Sequence, residues 1–284
     1  MKNISKPLSI LALAVGGVFF GATPAWSAPV LKSDLASFAV LGASGVTNVP
    51  TSTIGGNLGS SANSSVGGGY IFTAGSLQQN TATAQQAQLD LETAILDING
   101  MANTGGTLNA DLAGLTIAPG VYEVLAGTTN LSGLLKLDGA GSNTAVWVFR
   151  FASTLIANEG SNVNVVNVGN GSGVGIYWSV GTAATLNGST FAGNVLARDL
   201  VSSNGGLTVG CGRLLSADKQ VTLIQDKVSI GCGVSTDIGF GSGGFDQGVA
   251  IGSGGQPVNG VPEPGSLALL GLGLGALGFI RRRS

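Results

Sequence analysis

No histidine occurs among the 284 residues of this chain. That absence removes the Ser-His-Asp triad, the Cys-His nucleophile pair and histidine-ligated zinc together. Charge is scarce as well: Asp, Glu, Lys and Arg make up 9% of the residues, where about 25% is usual. Between Ala28 and Gly260 thirteen acidic side chains stand against seven basic ones, a net charge of −6 with no basic stripe. Nucleic acid is therefore not expected as a partner, and adsorption to anionic lipid is disfavoured. No Gly-Lys-Ser/Thr phosphate loop is present. A carboxylate pair in a groove, as in polysaccharide-active β-helix enzymes, is the catalytic route left open. Asp90 and Asp97 read as a solvated stripe opposite the apolar side of one helix, and Asp111, Glu123, Asp138 and Glu159 are scattered through turns. Asp138-Gly139-Ala140-Gly141 lacks the repeated Asp-rich nonapeptide of calcium-binding β-rolls. Neither an enzyme nor a cofactor or metal site is expected.

What is present begins with the two ends. Met1-Lys2 and Lys6 precede the 13-residue apolar run Leu8 to Phe20, and Ala25-Trp26-Ser27 places small residues where a signal peptidase needs them. Cleavage after Ser27 is expected. At the other end, Val261-Pro262-Glu263-Pro264 is followed by an uncharged run from Gly265 to Ile280 and by Arg281-Arg282-Arg283. Sixteen residues give about 24 Å of helix, short of a ~30 Å hydrocarbon core, so a transiently inserted, processed tail fits better than a permanent transmembrane helix. In order and content these three parts resemble the PEP-CTERM sorting signal. The resemblance implies processing by an exosortase-type protease and delivery to the envelope surface or beyond it.

Two cysteines, Cys211 and Cys232, lie in the exported body. A disulfide closing that loop would contribute roughly 3 kcal/mol in an oxidising compartment, with two free thiols as the alternative. The glycine-rich stretch 239–260 reads as a flexible tether.

Within the body one long helix is predicted from Asn80 or Thr81 to Asn99, where Ala84, Ala87, Leu91, Ala94, Ile95 and Ile98 form one apolar stripe. Downstream the pattern shortens into β-prone runs bounded by Gly, Asn and Ser: 121–125, 134–137, 145–151, 163–168, 174–180, 190–197 and 221–224. Phrases such as Thr129-Asn130-Leu131, Ala184-Thr185-Leu186 and Gly206-Leu207-Thr208 recur at irregular spacing. Pattern alone leaves a stacked solenoid and an antiparallel sandwich both open.

Several blocks carry a further likeness. Leu35 to Leu41, Val46-Thr47-Asn48 and Ile54 to Gly59, then Asp111 to Tyr122, Ala145 to Phe149, Ile176 to Leu186 and Thr190 to Ala197 follow one another in the order of the ice-binding-protein-like family. The resemblance covers about Leu35 to Ile230. It implies an all-β fold with one long helix: a discontinuous right-handed parallel β-solenoid of triangular section, flanked by the helix. Gly56-Asn57-Leu58-Gly59 departs from that family's usual Gly-Asp-Leu-Gly, and the charged segment around Cys211 and Cys232 leaves the register of the last coil open.

A flat solenoid face is a lattice of side chains, with about 4.8 Å between strands and about 6.6–7 Å between same-face residues along one. Threonine is stiff at χ1 and presents a methyl and a hydroxyl, so a row of threonines can hold water in an ordered array. Thr51 and Thr53 form a Thr-x-Thr pair, and Thr182-Ala183-Ala184-Thr185 and Thr104-Gly105-Gly106-Thr107 match a Thr-Ala/Gly-x-Thr/Asn pattern. The expected ice-binding candidates are Thr51, Thr53, Thr182, Thr185, Ser189 and Thr208, on one flat face. Expected organisation is a signal peptide at 1–27, the solenoid at 28–238, the tether at 239–260 and the sorting signal at 261–284. Expected partners are ice or an extracellular matrix, with signal peptidase and exosortase during export. A matrix or adhesin-like surface protein without ice activity is the alternative reading.

Overall fold

Helix α1 (Ser33–Ala36) leads into β1 (Phe38–Gly42), β2 (Gly45–Val49), β3 (Ser52–Gly55), β4 (Asn57–Ser60), β5 (Tyr70–Ala74) and β6 (Leu77–Gln79), after which the long helix α2 (Ala82–Gly100) follows. Beyond it come β7 (Gly106–Leu108), β8 (Thr116–Ile117), β9 (Gly120–Val124), β10 (Leu134–Asp138), β11 (Val146–Phe151), β12 (Leu155–Ala157) and β13 (Asn162–Val166). The last coils hold β14 (Gly175–Val180), β15 (Ala184–Leu186), β16 (Thr190–Ala197), β17 (Val201–Ser203), β18 (Thr208–Ser216), β19 (Gln220–Ile224) and β20 (Lys227–Ser229). This computed structural model describes residues 30–231 apart from 63–64, 170, 172 and 189, together with 250–251 and 257–258. The expected signal peptide, Ser189, Cys232 and the sorting signal with its apolar run lie outside the described residues.

Strands β1 to β20 pair in parallel and stack into three faces. The first runs β6-β4-β1-β18-β16-β14-β11-β9-β7. The second runs β5-β3-β20-β18-β16-β13-β10-β8, using the first halves of β18 and β16. The third is the five-stranded sheet β12-β15-β17-β19-β2. Each turn of the chain visits the first, third and second face in that order. The 190–197 run expected as one strand is therefore one strand on two faces, bent at Gly193. There φ is +102°, and a Cβ would stand 2.6 Å from the Ile176 side chain, so only glycine fits.

The winding is discontinuous. β1 lies between β4 on one side and β18 on the other, so the first coil is sandwiched between the second and the last. The chain starts in the interior, winds to one end at β6, and must reach the opposite end to continue at β7. Helix α2 makes that crossing. Nineteen residues span about 28 Å, most of the ~38 Å across nine strands. Thr81 starts the helix by accepting the Ala84 N–H on its hydroxyl at 3.2 Å. Its alanine-rich side (Ala84, Ala87, Ala94) with Leu91, Ile95 and Ile98 is buried on Phe38, Leu41, Val148, Tyr177, Leu196 and Leu215, which project outward from the first face. At its far end, Arg150 Nη1 donates to the carbonyls of Asn99 (2.9 Å) and Met101 (2.7 Å), placing a cation where the helix dipole is negative.

Inside the coils, aromatic rings stack strand upon strand. Tyr122, Phe149 and Trp178 are in register on β9, β11 and β14, with ring centroids 5.7 and 4.5 Å apart, and Phe191 adds a tilted contact at 4.9 Å. The last coil, whose register the sequence left open, is complete: β18, β19 and β20 pair with β1, β2 and β3.

Two expectations need correction. Asp90 is not on a solvated stripe: it is 2% exposed, receives a hydrogen bond from Gln86 (2.9 Å) and pairs with Lys32 at 3.6 Å, because the approach of α1 covers that side of α2. The 239–260 stretch is not uniformly without structure, since Ala250–Ile251 and Pro257–Val258 form an antiparallel pair, β21 and β22. Cys211 is disulfide-bonded and sits at the positive-φ corner inside β18. Among the described residues no helix is long and apolar enough to cross a membrane.

Candidate functional site

With the first face covered by α2, the second and third remain open. On the third, each three-residue strand buries its first and last side chains and turns the middle one outward. The outcome is a row in strict register, Ile156, Thr185, Ser202, Thr222 and Thr47, running across β12, β15, β17, β19 and β2. Four strand spacings make it about 19 Å long. Its hydroxyls are linked to one another: Thr47 Oγ1 donates to Thr222 Oγ1 at 2.9 Å, and Ser202 Oγ approaches Thr185 Oγ1 at 3.5 Å. On β19 and β2 the next outward pair is Ile224 beside Val49. The central row carries no charge.

The second face is longer and differently furnished. Its outward row is Ile71, Thr53, Lys227, Thr208, Thr190, Asn162 and Leu134. A parallel row holds Asn164, Lys136 and Thr116. Lys227 therefore stands between two of the candidate threonines, and Lys136 is paired with Asp138 at 3.6 Å. A hydrated ammonium in the middle of a threonine row interrupts any ordered water layer across it.

The expected single threonine face is thus divided. Thr53 and Thr208 are on the second face and Thr185 is on the third. Thr51 is exposed where the chain turns from β2 to β3, and Thr182 is half-buried at the bend before β15 with its hydroxyl enclosed. Thr104 is used internally, its Oγ1 accepting the Val121 N–H at 3.0 Å, and Thr107 sits on the edge strand of the helix face beside Glu123. Thr47, Ser202, Thr222 and Ile156 were not among the expected residues. Their common signal is an aliphatic-x-aliphatic or aliphatic-x-polar triplet, as in Leu155-Ile156-Ala157, Val201-Ser202-Ser203 and Val221-Thr222-Leu223.

The corner that leads from the third face to the second contains the most enclosed carboxylate among the described residues. Asp226 is fully buried and accepts hydrogen bonds from Ser203 Oγ and from the N–H groups of Leu207 (2.9 Å) and Ile224 (2.9 Å). Burial pushes its carboxyl above the ordinary value, and the three hydrogen bonds oppose that shift. It holds the corner rather than facing a cleft. Among the described residues no group of three or more His, Cys, Asp or Glu is placed to hold a metal.

The architecture defines a class: a parallel β-solenoid whose long helix covers one face and leaves two lattice-like faces open. The ice-binding-like family model matches residues 40–229 and the PEP-CTERM protein-sorting motif matches residues 260–284. An ice-binding protein of a Nostoc strain is 34% identical over 292 aligned residues, covering 100% of this chain and 98% of that relative. The crystal structure of an ice-binding protein from an Antarctic ascomycete, Antarctomyces psychrotrophicus, superposes with a TM-score of 0.63 at 33% identity, covering 71% of this chain and 97% of that one. An ice-binding protein from an Antarctic biological consortium gives 0.64 at 31% identity, covering 71% and 91%. This chain belongs to the ice-binding-like family. Its C-terminal sorting motif marks it for export, to the cell surface or beyond it.

Proposed function

We propose that this protein adsorbs to ice through the third face, with Thr185, Ser202, Thr222 and Thr47 as the central row and Ile156 at its end. One observation carries the choice of face: this open row is in register on a parallel sheet and uncharged, whereas the corresponding row on the second face is broken by Lys227. Side chains fixed by strand pairing and by β-branching lose little freedom when water orders over them, so the cost of adsorption is low. Family membership and relatives that bear the name ice-binding protein support the same reading, and none of those names speaks for an enzyme. Thr51, Thr53, Thr182 and Thr208 fall outside the central row. Export follows an exosortase-type route, and the ligand is ice formed outside the cell.

The test compares thermal hysteresis and recrystallisation inhibition of Thr222→Tyr and Thr53→Tyr. Loss of most activity in the first alone is expected, with folding stability within about 0.5 kcal/mol of the parent for both surface changes. Loss in the second alone would move the site to the second face. An inactive parent protein would favour the matrix-protein reading instead.

A further inference from the structure

The loop from Ser203 to Leu207 joins β17 to β18, and one buried side chain pins both of its ends. Asp226 accepts from Ser203 Oγ at the start and from the Leu207 N–H at the close, while the Gly206 N–H donates to the Ile224 carbonyl at 2.9 Å. Between these anchors Asn204 and Gly205 stand exposed. Among the described residues, neither the Asn204 side-chain amide nor the Gly205 N–H makes a hydrogen bond. Gly205 has no Cβ to shield its nitrogen, and it adopts a φ of +109° that other residues avoid.

We propose that Asn204 is a site of spontaneous deamidation. The Gly205 nitrogen forms a bond to Asn204 Cγ and gives up its proton to solvent base. The side-chain amide leaves as ammonia, and a five-membered succinimide remains. Water then opens the ring at one carbonyl or the other, leaving aspartate or isoaspartate. No oxidant, metal or enzyme is required.

Among the Asn-Gly pairs whose asparagine the structure describes, the fold makes this position selective; Asn170-Gly171 and Asn259-Gly260 have the same sequence, and Asn170 and Asn259 lie outside the described residues. Asn187-Gly188 has the same sequence at the equivalent corner one coil away, but Asn187 is half-buried with its Oδ1 enclosed. Gly188 there is packed so closely that a Cβ would lie 2.4 Å from Ser161 Oγ. Asn99-Gly100 ends α2, where Asn99 is held by Ser179 Oγ (2.8 Å) and by Arg150. Deamidation at Asn204 puts a negative charge two residues from Ser202, at the rim of an otherwise uncharged row. The isoaspartate product also lengthens the backbone at a corner that Asp226 holds at fixed length.

The experiment ages the purified full chain at mildly alkaline pH and follows isoaspartate by methyltransferase labelling and, after reduction, by tryptic mapping. Asn204 is the one asparagine between Arg198 and Arg213, whereas the segment 151–198 holds both Asn170-Gly171 and Asn187-Gly188, so fragment ions are used there to read Asn187 itself. The expected result is label and the amide-to-acid mass increment appearing in 199–213 severalfold faster than at Asn187. Asn204→Gln and Asn204→Ser, each at an exposed position, should both abolish the signal in 199–213. A peptide 199–213 that stays unmodified, or one labelled as fast in either variant, overturns the proposal. Because the readout is mass, the outcome is independent of whether the protein binds ice.

Discussion

Arg213, on the last coil, donates from Nη2 (2.6 Å) and Nε (3.1 Å) to the carbonyl of Ala36, which ends α1 at the opposite end of the sequence. Its Nη1 donates to Asn194 Oδ1 at 2.7 Å. The guanidinium thus spans the seam where the first coil is laid against the last. Burial lowers its pKa to about 10, so it still carries its charge at neutral pH.

Cutting this clamp should loosen the seam. Arg213→Met leaves the Ala36 carbonyl buried without its two guanidinium bonds and should lower the unfolding free energy by about 3 kcal/mol. Arg213→Lys retains a charge but not the fork, and should lose less. Urea unfolding measures both. A methionine variant as stable as the parent would remove Arg213 from the account of the seam.

Asp226 gives a pH dependence of definite sign. Its folded pKa lies above the ordinary 3.8, so the folded state binds the extra proton in the window between the two values. The group's contribution to stability is then largest below 3.8 and is lost as pH rises through the folded value. Asp226→Asn should cost about 2–4 kcal/mol, because an amide cannot accept from all three donors. The margin of the parent over this variant should widen as pH falls from neutral towards 3.8. Melting both proteins across that range checks it, and a margin that narrows on acidification would reverse the assigned direction.

Sorting can be separated from folding. Replacing Pro262, Glu263 and Pro264 together by alanine should leave the full-length protein in the inner membrane with its C-terminal run and Arg281, Arg282 and Arg283 still attached. Intact mass and fractionation decide it. Normal mature mass at the normal location would mean that cleavage does not depend on the Pro-Glu-Pro motif.

Much of this protein could be read before any coordinates. The α2 stripe follows from the 3.6-residue repeat of Ala84, Ala87, Leu91, Ala94 and Ile98, a local property of the chain. The expected strands at 134–137, 145–151 and 190–197 coincide with β10, β11 and β16 to within a residue or so, because alternation and β-branching are local too. Absence of histidine and low charge narrowed the chemistry without reference to shape. Asp90 misled because it was read as opposite the apolar stripe, whereas it lies one turn from both Ala87 and Ala94 and flanks that stripe, on a side that α1, arriving from another part of the chain, covers.

Which residues share a face was decided by tertiary structure alone. The intervals between Ile156, Thr185, Ser202 and Thr222 are unequal because the corner loops differ in length, so nothing in the linear spacing aligns them. Parallel pairing does, by counting hydrogen bonds from each corner. The same pairing separates Thr53 from Thr185, though both sit in similar local sequence. It also places Thr47, from the start of the chain, beside Thr222, from near the end of the solenoid. Sequence by itself determined the kinds of element, the export signals and the poverty of charge, since these depend on residue type and short-range order. The composition of the open face depends on contacts between residues up to 175 positions apart, and only the closed stack of coils brings those together.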